Sequence, residues 1–589
     1  MDTIRLFMWG YQPHFQISTQ TTAEGIFDRL DKALGPTTFL VGVLVEERED
    51  RYPICVEPED CGCDPKAFSD IQAQAEHLEA VDEERHILHS YPKVQASHEQ
   101  RIKLRALKNA IQQAVRRYDE YRGVVSFCSW PVLVEGYRVC VVLQFSRDAF
   151  ESHYALVRNE IDGRYQIATS LIDATITEYL SECAKALSKP DPGSGLGLTD
   201  RDYDEIIRSA GKSLMYTPAW AGGEFMGLHG LFYACNTISS LRYEGAEGIG
   251  KMLIARREHP NVETVIALSS PVKMWNYRAV RKLLEMSSEE MCLLSDSGYV
   301  YGLGKLTGLY DQRAEDQFLI SFTKHYTWEL SHAGHILTRV VYGQPELPRT
   351  PINKEKFERD IHRIFPDIES KQISRLWDLV AEAIKQKHGT MVVVSTGARI
   401  EAERLKAQST TIEPIQLTPR TMQTITAIDG AVLIDPDSNC YAIGVILDGL
   451  ASRKGTSSRG ARYNSAIRYV ESSKYPCVAI VVSEDGTIDL VPDLMPQIRR
   501  SDILETIEQL KGLEEEENFD LKTFNRTMSW LSDHRFYLLP EMCEEVNSLR
   551  RSVEAVRDRV VDPITLRPVY SDFAPNEEMD ESHFLDELG

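Results

Sequence analysis

Two short groups of residues have the types and spacing to handle a phosphorylated ligand: Asp429-Gly430-Ala431, and further on Gly460-Ala461-Arg462-Tyr463-Asn464-Ser465. A carboxylate beside a glycine can hold a divalent cation or help deprotonate an attacking hydroxyl. A guanidinium fork matches two phosphate oxygens at once. Arg459 and Arg468 flank Arg462 and add fixed positive charge. A carboxylate on one loop and arginines on another are what nucleotidyl transfer needs, because there catalysis consists largely of placing charge around phosphate.

The elements that must position these groups follow from the apolar pattern. Residues 390–394 predict a buried strand and residues 431–434 a second. Residues 441–447 predict a third, with Pro436, Asp437, Ser438 and Asn439 turning the last two into a hairpin. Asp429 then falls at the edge of a buried strand. The Gly- and Ser-rich stretch 449–460 predicts a loop, 461–470 a helix, 477–482 a core strand, and Ser483-Glu484-Asp485-Gly486 its turn. Small residues at a helix start leave backbone N–H donors and the positive end of the dipole facing outward, which suits a triphosphate.

This ordered series resembles the diadenylate cyclase domain of the DNA-integrity-scanning cyclases and their membrane-anchored relatives, which joins two ATP into cyclic di-AMP. Asp429, Gly430 and Ala431 fall on the family's DGA motif, whose Asp is associated with the metal and the ribose 3′-hydroxyl. The second family motif, Gly-Thr-Arg-His-Arg, reads Gly460-Ala461-Arg462-Tyr463-Asn464 here, so its first Arg is kept and Thr, His and the second Arg are replaced. Three readings of the departure stand. Arg459 or Arg468 supplies the missing charge; or Gly455-Thr456 takes the Gly-Thr position with an insertion after it, bringing Thr456 and Arg459 to the phosphates; or the site holds nucleotide without turning it over.

The resemblance implies catalytic roles for Asp429 and Arg462, with Asp429 holding Mg2+ or Mn2+. It implies a nucleotide lined by Gly430, Ala431, Arg459, Gly460, Ala461, Tyr463, Asn464, Ser465, Ser483 and Glu484. It further implies ATP as substrate and self-association, as a homodimer or higher, because two domains must meet face to face for each 3′-hydroxyl to attack the other nucleotide. The alternative is a receptor that binds nucleotide in the same pocket without catalysis.

At 589 residues the chain exceeds a single core, and its 42% hydrophobic and 26% charged content is that of a globular protein. No apolar run approaches the ~20 residues of a membrane span, and the start lacks the pattern of a signal peptide, so the chain reads as cytoplasmic with no membrane partner. A net charge of −23 argues against general nucleic-acid binding. Eleven scattered cysteines fit a reducing compartment. Only Cys55, Cys61 and Cys63 cluster, with His77, His86 and His89 in range, and without the paired spacing of a zinc site they read as a loop of free thiols.

The expected fold class is α/β multidomain. A C-terminal mixed-sheet α/β cyclase-like domain (352–500) is preceded by two α/β units (1–188 and 200–345) and followed by helices with an acidic tail (501–589). Pro/Gly-rich stretches at 189–195 and 343–351 mark the joints. Such an order resembles signal-producing proteins with a sensory region ahead of a cyclase output domain. In the upstream units, residues 9–14 form an aromatic cluster that reads as a core plug rather than a ligand pocket. Residues 244–250 imitate a phosphate loop, with Arg242, Tyr243 and Lys251 nearby, but lack the Lys-Ser/Thr that would complete it. His325, Glu329, His332 and His335 have helical spacing and predict a polar helix face on which metal ligation is chemically possible. Helical spacing returns at 503–510, 521–531 and 541–560, and the acidic end, 576–589, reads as mobile.

Overall fold

The computed structural model describes residues 8–585 apart from 47, 49–50, 59–67, 162–164, 196, 224–229, 289, 349–353, 384–388, 451–459, 483–487, 516, 518, 561–569 and 577. The chain is α/β throughout and divides into two compact units, Met1–Pro348 and Arg349–Gly589. Among the described residues no helix is long and apolar enough to cross a membrane.

The first unit holds two sheets. One runs Ile54–Glu57, Thr37–Leu44, Tyr137–Ser146, Val124–Cys128, all antiparallel, with Val132–Val134 also on Tyr137–Ser146. Tyr137–Ser146 is buried along almost its whole length. Its Cys140 and Val142 side chains enter a core with Ile111 and Val115 of the long helix Pro92–Arg122. Val139, Val141, Leu143 and Phe145 enter a larger core on the opposite face. An apolar run without alternation is what burial on both faces requires. The second sheet has eight strands, and its one parallel pair joins Gly250–Ala255 to Cys292–Ser295. The larger core runs from Met8 to Leu347, so both halves of the unit share it. Trp9 is part of this core, and its Nε1 donates to Pro192 O at 2.7 Å, tying down the 189–195 stretch.

The second unit carries the sheet that bears the candidate site. Its strands are β1 (Thr390–Ser395), β2 (Thr410–Gln416), β3 (Ala431–Ile434), β4 (Asn439–Val445), β5 (Cys477–Val482) and β6 (Ile488–Val491). Its helices are α1 (Lys354–Ile364), α2 (Ser370–Ala383), α3 (Ala398–Arg404), α4 (Pro419–Ile425), α5 (Ala461–Ser472), α6 (Arg500–Gly512), α7 (Leu521–Asp533) and α8 (Pro540–Val560). The order is β2-β4-β3-β1-β5-β6, with β1 and β3 parallel and the other neighbours antiparallel. Val392, Val394, Val432 and Ile434 pack against α1, α2 and α4 through Phe357, Leu376 and Met422. Met391, Val393, Ala431 and Leu433 pack against α3 and α5 through Ala402, Ala466 and Tyr469. Successive strand residues alternate between the two faces, so a sheet covered by helices on both sides has to be apolar at every position. Helices α6 to α8 form a separate core of their own.

Two expectations are corrected. His325, Glu329, His332 and His335 lie on no helix: Thr327–His332 and His335–Val341 form an antiparallel hairpin through Ala333 and Gly334, both at positive φ. Burial alternates with period two from Trp328 to His332, and that periodicity prevails over the helical spacing of the histidines. The 244–250 stretch, incomplete as a phosphate loop in sequence, is accordingly a tight turn with Glu244 and Gly245 at positive φ. It is held by the buried Arg281 guanidinium, which donates to Leu241 O, Ala246 O and Glu247 O. Nor is the described part of the acidic tail loose: Phe584 is 6% exposed within the α6–α8 core and bridges Ile498. Asp580 caps the turn Glu581–His583 that leads into it. Of the cysteine cluster, Cys61 and Cys63 lie outside the described residues. Cys55 is buried in a strand, and His77, His86 and His89 are exposed.

Phe584→Ala should therefore weaken the α6–α8 core by about 3 kcal/mol, the usual cost of removing a buried phenyl ring. The check is amide hydrogen exchange over 498–553, where protection should fall while that of β1 and β5 is unchanged.

Candidate functional site

The site begins at a helix that stops short of a strand. Thr418 caps α4, accepting from Thr421 N at 3.3 Å while its own N–H donates to Thr421 Oγ1 at 2.8 Å, and Pro419 takes the first helical position. The chain then turns through Ile428 and Asp429 into β3. Gly430 sits at φ +108°, and a Cβ there would lie 2.6 Å from Gly444 C and 2.9 Å from Gly444 Cα on β4. Only glycine lets the strands approach so closely at this conformation. Ala431 is fully buried and pairs with Val445, so its side chain belongs to the core. Asp429, two residues earlier, is thrown clear of the sheet with 87% of its side chain exposed.

Arg462 comes to Asp429 from α5. Its Nη2 donates to Asp429 Oδ1 at 2.8 Å, across 33 residues of sequence. The guanidinium is the chief reason that the Asp429 carboxyl is held below its ordinary range, helped by the Gly430 N–H. Gly460 is the N-cap of α5, is exposed, and has nothing within 4 Å of where a Cβ would stand. Ala461 is exposed beside it. Asn464 turns back on the cap, donating from Nδ2 to Gly460 O at 3.3 Å. Tyr463 packs against the core beneath. Ser465 Oγ accepts from Arg468 Nη2 at 3.4 Å, and Arg468 Nε donates to Asn464 O at 3.1 Å, so Arg468 is engaged with its own helix. Arg459, Thr456, Ser483 and Glu484 lie outside the described residues.

A supporting network escaped the sequence reading. Arg404 donates from Nε to both oxygens of Glu401 at 3.1 and 3.0 Å, and from Nη1 and Nη2 to Asp448 Oδ2 and Oδ1 at 2.6 and 2.8 Å. The hydroxyl of buried Tyr469 donates to Glu401 Oε2 at 3.1 Å. Arg404 is the main cause that holds the Asp448 carboxyl below its ordinary range, while burial pushes the Tyr469 phenol up. This double fork joins α3, α5 and the chain just past β4. Gly449 follows at φ +154°, where a Cβ would come 2.5 Å from Arg468 C. Tyr469 lies two turns along α5 from Arg462, so the anchor fixes the rotation of the helix that aims Arg462 at Asp429. The only trace of this in sequence is Glu401 and Arg404 one helical turn apart.

Among the described residues no group of three or more His, Cys, Asp or Glu side chains sits together as a metal site. A cation held at Asp429 could draw further ligands from phosphate oxygens and water. That donor set suits Mg2+, which keeps waters and binds through one or two carboxylates plus substrate phosphates.

Residues 378–493 match the family described as DisA bacterial checkpoint controller nucleotide-binding. Upstream, residues 8–215 match a family described as a probable sensor domain, DACNG, and residues 229–334 another, DACNH. No curated protein matches the chain. Among solved structures, a cysteine double mutant of DacA from Staphylococcus aureus is 21% identical over 20% of this chain and 83% of that one, with a TM-score of 0.18. Residues 378–493 are thus similar to a nucleotide-binding domain family, and they lie behind two segments similar to probable sensor domains.

Two outcomes follow from the geometry. Gly430→Ala should cost about 3 kcal/mol in chemical denaturation, since it adds left-handed strain to a backbone clash, whereas Gly460→Ala should cost less than about 1 kcal/mol. In an NMR titration the Asp429 carboxyl should protonate below its ordinary 3.8 and move up in Arg462→Ala. With a depressed pKa, the pairing is present at neutral pH and is lost only as pH falls through that lower midpoint.

Proposed function

We propose that this protein condenses two ATP into cyclic di-AMP and two pyrophosphates, with the upstream modules controlling the reaction. The observation that carries the reading is the meeting of Asp429 and Arg462 from separate elements at the surface of a domain that matches the DisA nucleotide-binding family. In each half-reaction a 3′-hydroxyl oxygen attacks the α-phosphorus of the other ATP. The bond from that phosphorus to the bridging oxygen breaks, pyrophosphate leaves, and the hydroxyl proton passes to solvent.

Arg462 would donate to phosphate oxygens and offset the charge that builds on them. An acid held below its ordinary range is a weak base at neutral pH, so Asp429 serves to hold the cation and orient the 3′-hydroxyl rather than to take the proton. Bound Mg2+ or Mn2+ would supply charge neutralisation along the triphosphate. The N-terminus of α5, with Gly460 and Ala461 exposed, would offer N–H donors to the same phosphates. Asp429 is largely exposed and the neighbouring Ile428 and Ile446 are 52% and 66% exposed, which leaves an open surface where a second domain can bring its own nucleotide.

A second reading has one observation in its favour. Ala461, Tyr463 and Asn464 stand where the resemblance leads one to expect Thr, His and a second Arg, and a site with fewer phosphate donors can hold nucleotide as a receptor.

The test incubates full-length protein with ATP and Mg2+ or Mn2+ and weighs the products by mass spectrometry beside Asp429→Asn. Cyclic di-AMP from the wild type alone, with specific activity rising with protein concentration, is the expected result. Nucleotide bound without product at any concentration would favour the receptor. Arg462→Ala should weaken ATP binding about tenfold, for ~1.5 kcal/mol of lost charge-assisted bonding, and unchanged affinity would remove Arg462 from the phosphate site.

A further inference from the structure

The two matched segments, residues 8–215 and 229–334, meet through a chain of hydrogen bonds. The Tyr154 hydroxyl lies 2.7 Å from His332 Nδ1, and the Tyr310 hydroxyl lies 3.2 Å from His332 Nε2. Tyr310 donates to Asp316 Oδ1 at 3.3 Å, and its oxygen accepts the Asp316 N–H at 3.0 Å. Beyond Asp316, His259 Nδ1 accepts the Asn261 N–H at 3.1 Å, so His259 Nε2 carries the proton that it presents to Asp316 Oδ1 at 3.1 Å. The Asp316 carboxylate is therefore the sink of the chain. Tyr310, having spent its proton there, accepts from His332 Nε2–H, and His332 Nδ1 accepts from Tyr154. A neutral His332 with its proton on Nε2 satisfies every contact.

His332 is 1% exposed, with the Phe318 ring 5.3 Å away. The charged and titratable groups facing it are Glu315, Asp316, His335 and the phenols of Tyr154 and Tyr310. Burial opposes a charged ring and His335 adds to it, the two acids favour one, and burial prevails, so His332 titrates below its ordinary 6.5. The same junction has a second tie. Glu315, at φ +47°, accepts from Val157 N at 2.7 Å and Arg158 N at 2.8 Å. Just before Tyr154, His153 pairs with Asp31 at 2.9 Å inside the first module.

We propose that Tyr154, His332 and Tyr310 form a proton-sensitive latch between the two modules, so that protons are an input this sensor region reads. A proton added at His332 Nδ1 turns that acceptor into a donor facing the Tyr154 oxygen. Tyr154 must then turn its own proton away and accept from the ring, and a cation is left buried at the junction, a cost that the open state does not carry. The sign follows from linkage: the latched state binds fewer protons than the open one. The latch is at full strength above 6.5 and is lost as pH falls below that value through the lower latched-state pKa. Nothing in this depends on the chemistry at Asp429.

The experiment is hydrogen exchange on the full-length protein between pH 5.5 and 7.5, corrected for intrinsic exchange, read at amides 154–158. Wild-type protection should fall several-fold on acidification. In His332→Gln, whose amide offers one donor and one acceptor without a charge, protection should stay constant with pH. Tyr154→Phe, which removes a single hydroxyl, should lower protection at neutral pH and shrink the acid response, and it decides the matter if His332→Gln does not fold. A flat wild-type profile overturns the latch. An acid response that persists in full in either variant overturns it too, and assigns the response to His153 or His335.

Discussion

The approach of two backbones at Gly430 is the constraint on which the candidate site depends. Strand β3 enters the sheet against Gly444 of β4 with no room for a side chain between them, and both glycines hold positive φ. Because the strand begins there, Ala431 is pulled into the core and Asp429 is left outside it. One backbone contact thus divides three consecutive residues into an exposed carboxylate, a tight turn and a buried methyl group.

Arg462 reaches that carboxylate because its helix is held at the other end. Buried Tyr469 bonds to Glu401, Glu401 to Arg404, and Arg404 to Asp448. The charges of this network are paired on both sides of one guanidinium, the arrangement in which ion pairs are most directional. The exposed, Gly460-capped end of α5 is therefore oriented from its core-facing end.

Much of this was legible in the chain. Apolar runs at 390–394, 431–434 and 477–482 became strands β1, β3 and β5 because a sheet buried on both faces writes itself as uninterrupted aliphatic sequence. The turn between β3 and β4 was legible from Pro436 to Asn439, and Asp435 closes it by accepting from Asn439 N at 2.8 Å. The histidines at 325–335 misled because spacings of three and four also arise along a hairpin: His325 precedes it, Glu329 and His332 share one strand, and His335 opens the next. The tail misled because its acidity outweighed a single phenylalanine, yet that ring seals the α6–α8 core.

By itself the sequence determined strands β1, β3, β4 and β5 and helices α5 to α8 of the second unit, that Asp429 precedes a buried strand, and that Arg462 begins a helix. Those features are local, since periodicity, turn residues and caps act within a few positions. Tertiary structure alone decided that Asp429 and Arg462 touch, that Arg404 bridges Glu401 and Asp448, and that Tyr154 and His332, 178 residues apart, share a proton. Pairings between distant segments depend on how helices and strands pack. A polar residue shows its partner only once the apolar faces on either side have brought the two together.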